Sequence, residues 1–258
     1  MKKRPPTKTA LETGQVFSHV LSLIRPDLGR EADRLAYRLG ERATLIRDSA
    51  CLDAGCGRGE VCHAMVTLGA RLVVGYDVGL HLQEARGNNY GMARAVFVRG
   101  DVLSLPFPDT TFDVVHSSGV LHHTEDPLQG FSELVRVLKP GGLLYVAVVG
   151  HEGLQASVTA VMRLLARTVP IRVMSKVLSV VLPGWAVAGL LDVGYAVIRR
   201  TYSESAVRTM FERFGLTSLA RTRSERYDYK SWYSRVWWGV GWIQLSGFKP
   251  DHDAGRSR

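Results

Sequence analysis

The sequence predicts an α/β doubly wound domain carrying a helical cap insertion, and three observations lead there. Short apolar, Val-rich runs alternate with segments of helix length across residues 50–149. Each run is too short for an ordinary helix, and parallel strands read as unbroken apolar runs because crossover helices cover both their faces. A glycine-rich turn, "CLDAGCGRGE" at 51–60, joins the first run to the first of those segments. After Gly150 the alternation stops and apolar sequence of helical pattern takes over. With 258 residues, 46% hydrophobic and 22% charged, the chain can bury a full core as one domain with an elaboration.

In chain order, residues 1–14 open with "MKKRPPTKT" and are expected to be a disordered segment. Residues 15–48 carry two helical patterns, around "VFSHVLSLI" and "EADRLAYRLGERATLIR", the second with Leu35, Leu39 and Ile46 on one stripe. Residues 49–150 form the core, with strands expected at 50–54, 72–76, 95–98, 112–116 and 143–149 and helices at 60–68 and 129–138. Residues 151–205 are the helical cap, broken by Pro170 and Pro183. Its longest uncharged run, 177–191, is about fifteen residues against roughly twenty needed to span a bilayer, so no transmembrane segment is expected. Residues 206–250 return a C-terminal helix and two last strands, near 216–220 and 236–248, around the aromatic patch "YDYKSWYSRVWW". Residues 251–258 are expected to be a disordered tail.

Gly55, Gly57 and Gly59 follow an expected strand and precede an expected helix, the setting in which such a turn brings backbone amides against a ligand. A dinucleotide fingerprint is G-x-G-x-x-G, whereas here the third glycine comes one place early and Glu60 takes the sixth position. Asp53, two residues before Gly55, would face a pyrophosphate at close range, where like charges repel. S-adenosylmethionine has no phosphate and carries an α-ammonium and a sulfonium, so the same acid becomes an attraction. Asp77 closes the second strand 24 residues on, and Asp101 follows the third strand after another 24. A carboxylate at the first place can accept both ribose hydroxyls. At the second it can accept from the adenine amino group while the Val102 amide meets a ring nitrogen. Singly these acids also read as cap or turn residues; together, at successive strand ends, they converge on one crevice.

"LDAGCGRGE", "VVGYD", "GDVLSLPFPDTTFDVVHSSGVLHH" and "ELVRVLKPGGLLYV", taken in order, resemble the successive motifs of class I S-adenosylmethionine-dependent methyltransferases. They are most similar to the small-molecule group that includes the ubiquinone and menaquinone C-methyltransferases. The resemblance covers about residues 50–149. It implies a Rossmann-like methyltransferase fold, a seven-stranded, mainly parallel sheet whose last strand, at "GVGWIQLSGFKP", is antiparallel. The cofactor set it implies comprises Asp53, Ala54, Gly55, Cys56, Gly57 and Gly59 in the turn, then Asp77 and Val78 after the second strand. Gly100, Asp101 and Val102 follow the third strand, and His116 and Ser117 sit on the cofactor rim after the fourth.

Methyl transfer from a sulfonium is an in-line displacement by an activated donor, so alignment of the acceptor is the main catalytic task. A base enters only where the acceptor must lose a proton. His122 and His123, at the expected start of the next helix, are the candidates, since histidine titrates near neutrality; packing of that helix start is their other reading. Lys139 and Pro140 read as stopping a helix and turning the chain. The expected acceptor is a small, apolar molecule of lipid, quinone or natural-product type, lying under the cap. Arg163 and Arg167, and again Arg172 and Lys176, are spaced i to i+4. Peripheral contact of 154–200 with an anionic membrane therefore stands beside a cap simply packed on the sheet.

The alternative from another class is a cofactor-binding partner protein without transferase activity. RNA or other nucleic acid is disfavoured although the net charge is +9, because part of that charge sits at the two ends of the chain and "HSSG" replaces the Asn-Pro-Pro-aromatic motif of amino-methylating relatives. Cys51, Cys56 and Cys62, spaced C-x4-C-x5-C, match no common zinc pattern, and no metal is expected. No secretory pattern opens the chain, and a cytoplasmic location is expected.

Overall fold

A computed structural model describes residues 5–222 and 241–251. Two helices precede the sheet. α1 (Lys8–Ser22) begins where the Thr7 hydroxyl accepts from the Ala10 amide, and α2 (Leu28–Leu39) runs into a 3-10 turn, Gly40–Ile46. The expected disordered segment 1–14 is therefore corrected: from Lys8 it is helix, because Thr7 satisfies an amide that the first turn would otherwise leave open.

The core then alternates as β1 (Ala50–Ala54), α3 (Glu60–Thr67), β2 (Leu72–Asp77), α4 (Leu82–Asn88), β3 (Ala95–Arg99), β4 (Phe112–Ser118), α5 (Pro127–Val137) and β5 (Leu138–Val149). The cap follows as α6 (Gln155–Ala166), α7 (Ile171–Leu178) and α8 (Gly184–Tyr195), before α9 (Glu204–Arg213), β6 (Thr217–Arg221) and β7 (Trp242–Phe248). The aromatic patch at 227–238 and the tail from 252 lie outside the described residues, and of the last expected strand the described part is β7.

The strands form one sheet in the order β3-β2-β1-β4-β5-β7-β6, with β7 antiparallel to both its neighbours and the pairs among β1 to β5 all parallel. This is the seven-stranded doubly wound sheet with the antiparallel last strand. β5 starts five residues earlier than expected, at Leu138, paired with Phe112. There Lys139 Nζ donates to Asp113 Oδ1 at 2.7 Å, and Asp113 Oδ2 accepts from the Ala50 amide at 2.8 Å. Lys139 thus ties the amino ends of the central strands together, at the edge of the sheet opposite the carboxyl ends.

Alternation along the strands divides the core into two layers. Leu52, Ala54, Val115, Phe131 and Phe211 pack on one face of the sheet, and Cys51, Cys62, Met65, Val73 and Tyr145 on the other. A third cluster, built on Val20, Met162, Met174, Val187 and Leu191, joins α1 to the three cap helices. Gly184 at the start of α8 allows that joint: a Cβ there would lie 2.3 Å from the Leu23 carbonyl oxygen. α1 is consequently fixed to the cap on one side and faces the carboxyl ends of the strands on the other.

Candidate functional site

The strand order reverses between β1 and β4, and open α/β sheets bind ligands at the carboxyl ends beside such a reversal. A cavity of about 320 Å³ lies there, and Asp53, Asp77 and Asp101 all line it, with Gly55, Cys56 and Gly57 from the turn. Val78, Gly100, Val102 and His116 complete the expected cofactor residues on its wall. Gly55 has φ 86°, and a Cβ on it would lie 1.9 Å from Val120 Cγ2, so only glycine lets the turn pass beneath the chain leaving β4.

Each carboxylate is held differently. Asp77 Oδ2 accepts from the Gly57 amide at 2.9 Å and Oδ1 from the Gly79 amide at 2.6 Å, with His81 Nε2 3.4 Å away. Burial raises the Asp77 pKa, but the His81 ring and the two amides outweigh it and hold the group below the usual carboxylate range. Asp53 Oδ1 accepts from His116 Nδ1 at 2.7 Å, and its Oδ2 accepts from the Cys62 thiol at 3.6 Å. Asp101 Oδ1 accepts from the Leu103 amide at 3.0 Å, the turn geometry its sequence position suggested.

His116 lies on the cavity floor rather than its rim, only 2% exposed and stacked on Tyr145 with centroids 4.7 Å apart. Its Nε2 is buried and has no hydrogen-bond partner among the described residues, which leaves a polar atom on the wall for a ligand group. Four expected residues do not reach the cavity. Ser117 projects to the opposite face of β4 from His116, and Ser118 takes its place on the wall. Ala54 packs in the core layer with Leu52. Gly59 caps α3 at φ 76° where a Cβ would lie 2.7 Å from Asn89 Nδ2, so its constraint is packing.

His122 is the fourth. It and His123 belong to a three-residue 3-10 turn, Leu121–His123, and not to the helix start, because Asp126 caps α5 by accepting from the Leu128 and Gln129 amides. His122 is 1% exposed, wedged between His123 and Trp242 with ring centroids 4.0 and 5.8 Å away, and burial drives its pKa well down. His123 does line the cavity. Its Nδ1 donates to the Ile198 carbonyl at 2.6 Å, which leaves Nε2 as the basic nitrogen, 3.9 Å from Asp192 Oδ1 of α8. Burial lowers the His123 pKa against the opposing pull of Asp192, which favours the neutral ring.

The remaining wall comes from residues the sequence reading passed over. Ala10, Thr13, Gly14, Phe17 and Leu21 of α1 form one stripe along the cavity, spaced at helical period. Phe17 packs on the His123 ring, centroids 4.7 Å apart. His81 links the two sides, its Nδ1 3.2 Å from Ser18 Oγ of α1. Arg58, inside the glycine turn and 2% exposed, donates to the Leu21 carbonyl at 2.8 Å and also to that of Ile24, so the turn holds the end of α1. The cysteines are buried thiols, Cys51 with its pKa pushed up to about 11, and among the described residues no three His, Cys, Asp or Glu side chains gather as metal ligands.

Residues 52–146 match the family model described as a methyltransferase domain. The chain is 36% identical over 132 residues to the 27-O-demethylrifamycin SV methyltransferase of Amycolatopsis mediterranei, covering 48% of each protein. It is 35% identical over 124 residues to a sterol 24-C-methyltransferase of Schizosaccharomyces pombe, covering 46% of this chain and 32% of that one. The matched stretch thus spans about half or less of these relatives' length. The crystal structure of an S-adenosylmethionine-dependent methyltransferase from Mesorhizobium loti superposes with a TM-score of 0.57 at 18% identity, over 86% of this chain and all of that one, which establishes the shared fold.

Proposed function

Starting from a chain whose residues 52–146 match the methyltransferase-domain model, we propose that the protein transfers a methyl group from S-adenosylmethionine to a small, apolar acceptor of lipid, quinone or natural-product type. The observation that carries this reading is the convergence of Asp53, Asp77 and Asp101 with the glycine turn on one cavity. The residues suit the cofactor: its cationic methionine end would face Asp53 rather than the amide cradle alone that a phosphate would select, and the unpartnered His116 Nε2 is a polar atom within the wall.

Asp77 would hold the ribose hydroxyls, since its carboxylate retains lone pairs beyond those given to Gly57 and Gly79. Asp101 and the Val102 amide would take the adenine edge, and Asp53, braced by His116, would set the negative charge facing the methionine end. Bound there, the cofactor supplies an electrophilic methyl on a sulfonium. The chain's part is to align the acceptor and, for a hydroxyl or carbon acid, to accept its proton at His123 Nε2. The relatives are named for 27-O-demethylrifamycin SV and for sterols, which supports an apolar, natural-product or lipid type of acceptor here. The cavity stands at the small end of the roughly 300–1,000 Å³ of ligand sites, and α1 lines it while no cap residue does, so cofactor and acceptor together call for α1 to give way.

Release of S-adenosylhomocysteine in the presence of hydroquinones, sterols, polyketide phenols and RNA tests the reading. Turnover with an apolar small molecule and none with RNA is expected. Cofactor binding with no turnover across the panel would instead favour the partner protein without transferase activity.

A further inference from the structure

We propose that the outer face of α7, together with the turn that follows it, docks this chain on an anionic lipid bilayer. Along this stretch only Met174 and Ser175 are buried and Leu178 is half-buried, while from Ser179 to Val181 every residue is exposed. Arg172, Val173, Lys176, Val177, Val180 and Val181 face solvent, while Met174 and Ser175 are buried against the rest of the cap and α1. The apolar members are not marginally exposed: Val177 stands 60% open, Val180 82% and Val181 78%, and Trp185, just past the Pro183–Gly184 bend, 72%. An apolar stripe that open, on one short helix and its turn, marks a surface made to be covered.

The charge pattern selects the occupant. No acidic residue lies between Glu152 and Asp192, whereas Arg163, Arg167, Arg172 and Lys176 all do. Bases interleaved with valines, and a tryptophan at the edge, are the composition of a helix lying in the headgroup region, where apolar side chains enter the acyl boundary and the bases meet anionic lipid. A second copy of the same face would set Arg172 and Lys176 against their own counterparts, which is unfavourable. Crossing is excluded for the described helices, none of which is long and apolar enough, so the contact is peripheral. The docking needs neither cofactor nor acceptor and does not depend on the methyltransferase reading.

Co-sedimentation of the full chain with vesicles tests this directly, comparing phosphatidylcholine containing phosphatidylglycerol with phosphatidylcholine alone. Binding to the anionic vesicles that weakens with added salt is expected. The double variants Val180→Asp with Val181→Asp and Arg172→Glu with Lys176→Glu should each weaken it by about ten-fold or more. Their melting temperatures should stay unchanged, because the altered side chains are solvent-exposed. Absence of binding by the unaltered chain, or equal binding by both double variants, would overturn the proposal. So would a concentration-dependent dimer in light scattering that the valine variant abolishes without any vesicle binding, since a second copy would then be the occupant.

Discussion

Asp77 binds two parts of its own chain before it binds anything else, and that sets what its replacement does. Asp77→Asn keeps the shape but offers one acceptor oxygen where the Gly57 and Gly79 amides now use two. Hydrogen bonds to a charged group contribute about 1.5–3 kcal/mol, so calorimetric affinity for S-adenosylmethionine should fall roughly ten- to hundred-fold. Unchanged affinity would remove Asp77 from the site. His123→Asn should leave cofactor affinity alone and lower kcat by about 10²–10⁴ for an acceptor that loses a proton. Its neutral form is the base and burial disfavours the charged form, so the wild-type rate should fall only when pH drops below the ordinary histidine value. An acid limb that survives in the variant would assign it to another group.

His122 makes the opposite kind of contribution. Burial holds its folded pKa well below the ordinary histidine value of 6.5, so below that pH the unfolded chain binds a proton that the folded chain refuses. Stability is complete above 6.5 and is lost as pH falls towards the folded value; in His122→Phe, the melting temperature should depend less steeply on pH across that interval. The strand-end acids were legible because each closes an apolar run. Ser117 was misplaced by one residue because β4 continues to Ser118, and a one-residue step along a strand changes the face.

Among the elements, α1 matters most to the site, and only its second half was visible as a helical pattern. Its first two turns sit in a charged, proline-containing stretch, and the stripe Ala10, Thr13, Gly14, Phe17 and Leu21 is made partly of small and polar residues that carry little apolar periodicity. Thr7 as a cap was the available signal. Arg58→Met would strip the Leu21 and Ile24 carbonyls of a buried charged donor, at a cost of about 1–3 kcal/mol for each unsatisfied group. Hydrogen exchange should then quicken in α1 while the central strands keep their protection. Uniform loosening of the whole molecule would show that α1 is not a separate clamp. α4 carries a short, charged sequence with no apolar repeat, and its position follows from the β2 and β3 register around it rather than from local pattern.

For the molecule as a whole, the parallel core was readable since continuous apolar runs and crossover lengths leave few other arrangements. The number of strands and the antiparallel last strand came from the resemblance, not from periodicity, and the strand order from the structure. The cap was readable as helical, but its sequence could not say which face turns inward; that depends on Met162, Met174 and Leu191 meeting α1. The central claim is that one cavity, between α1 and the carboxyl ends of β1 to β4, holds S-adenosylmethionine. A crystal structure of the chain with S-adenosylhomocysteine tests it most directly. The ribose hydroxyls should lie on Asp77 and the adenine beside Asp101 and Val102. Ligand density on another face, with this cavity holding none, would contradict it.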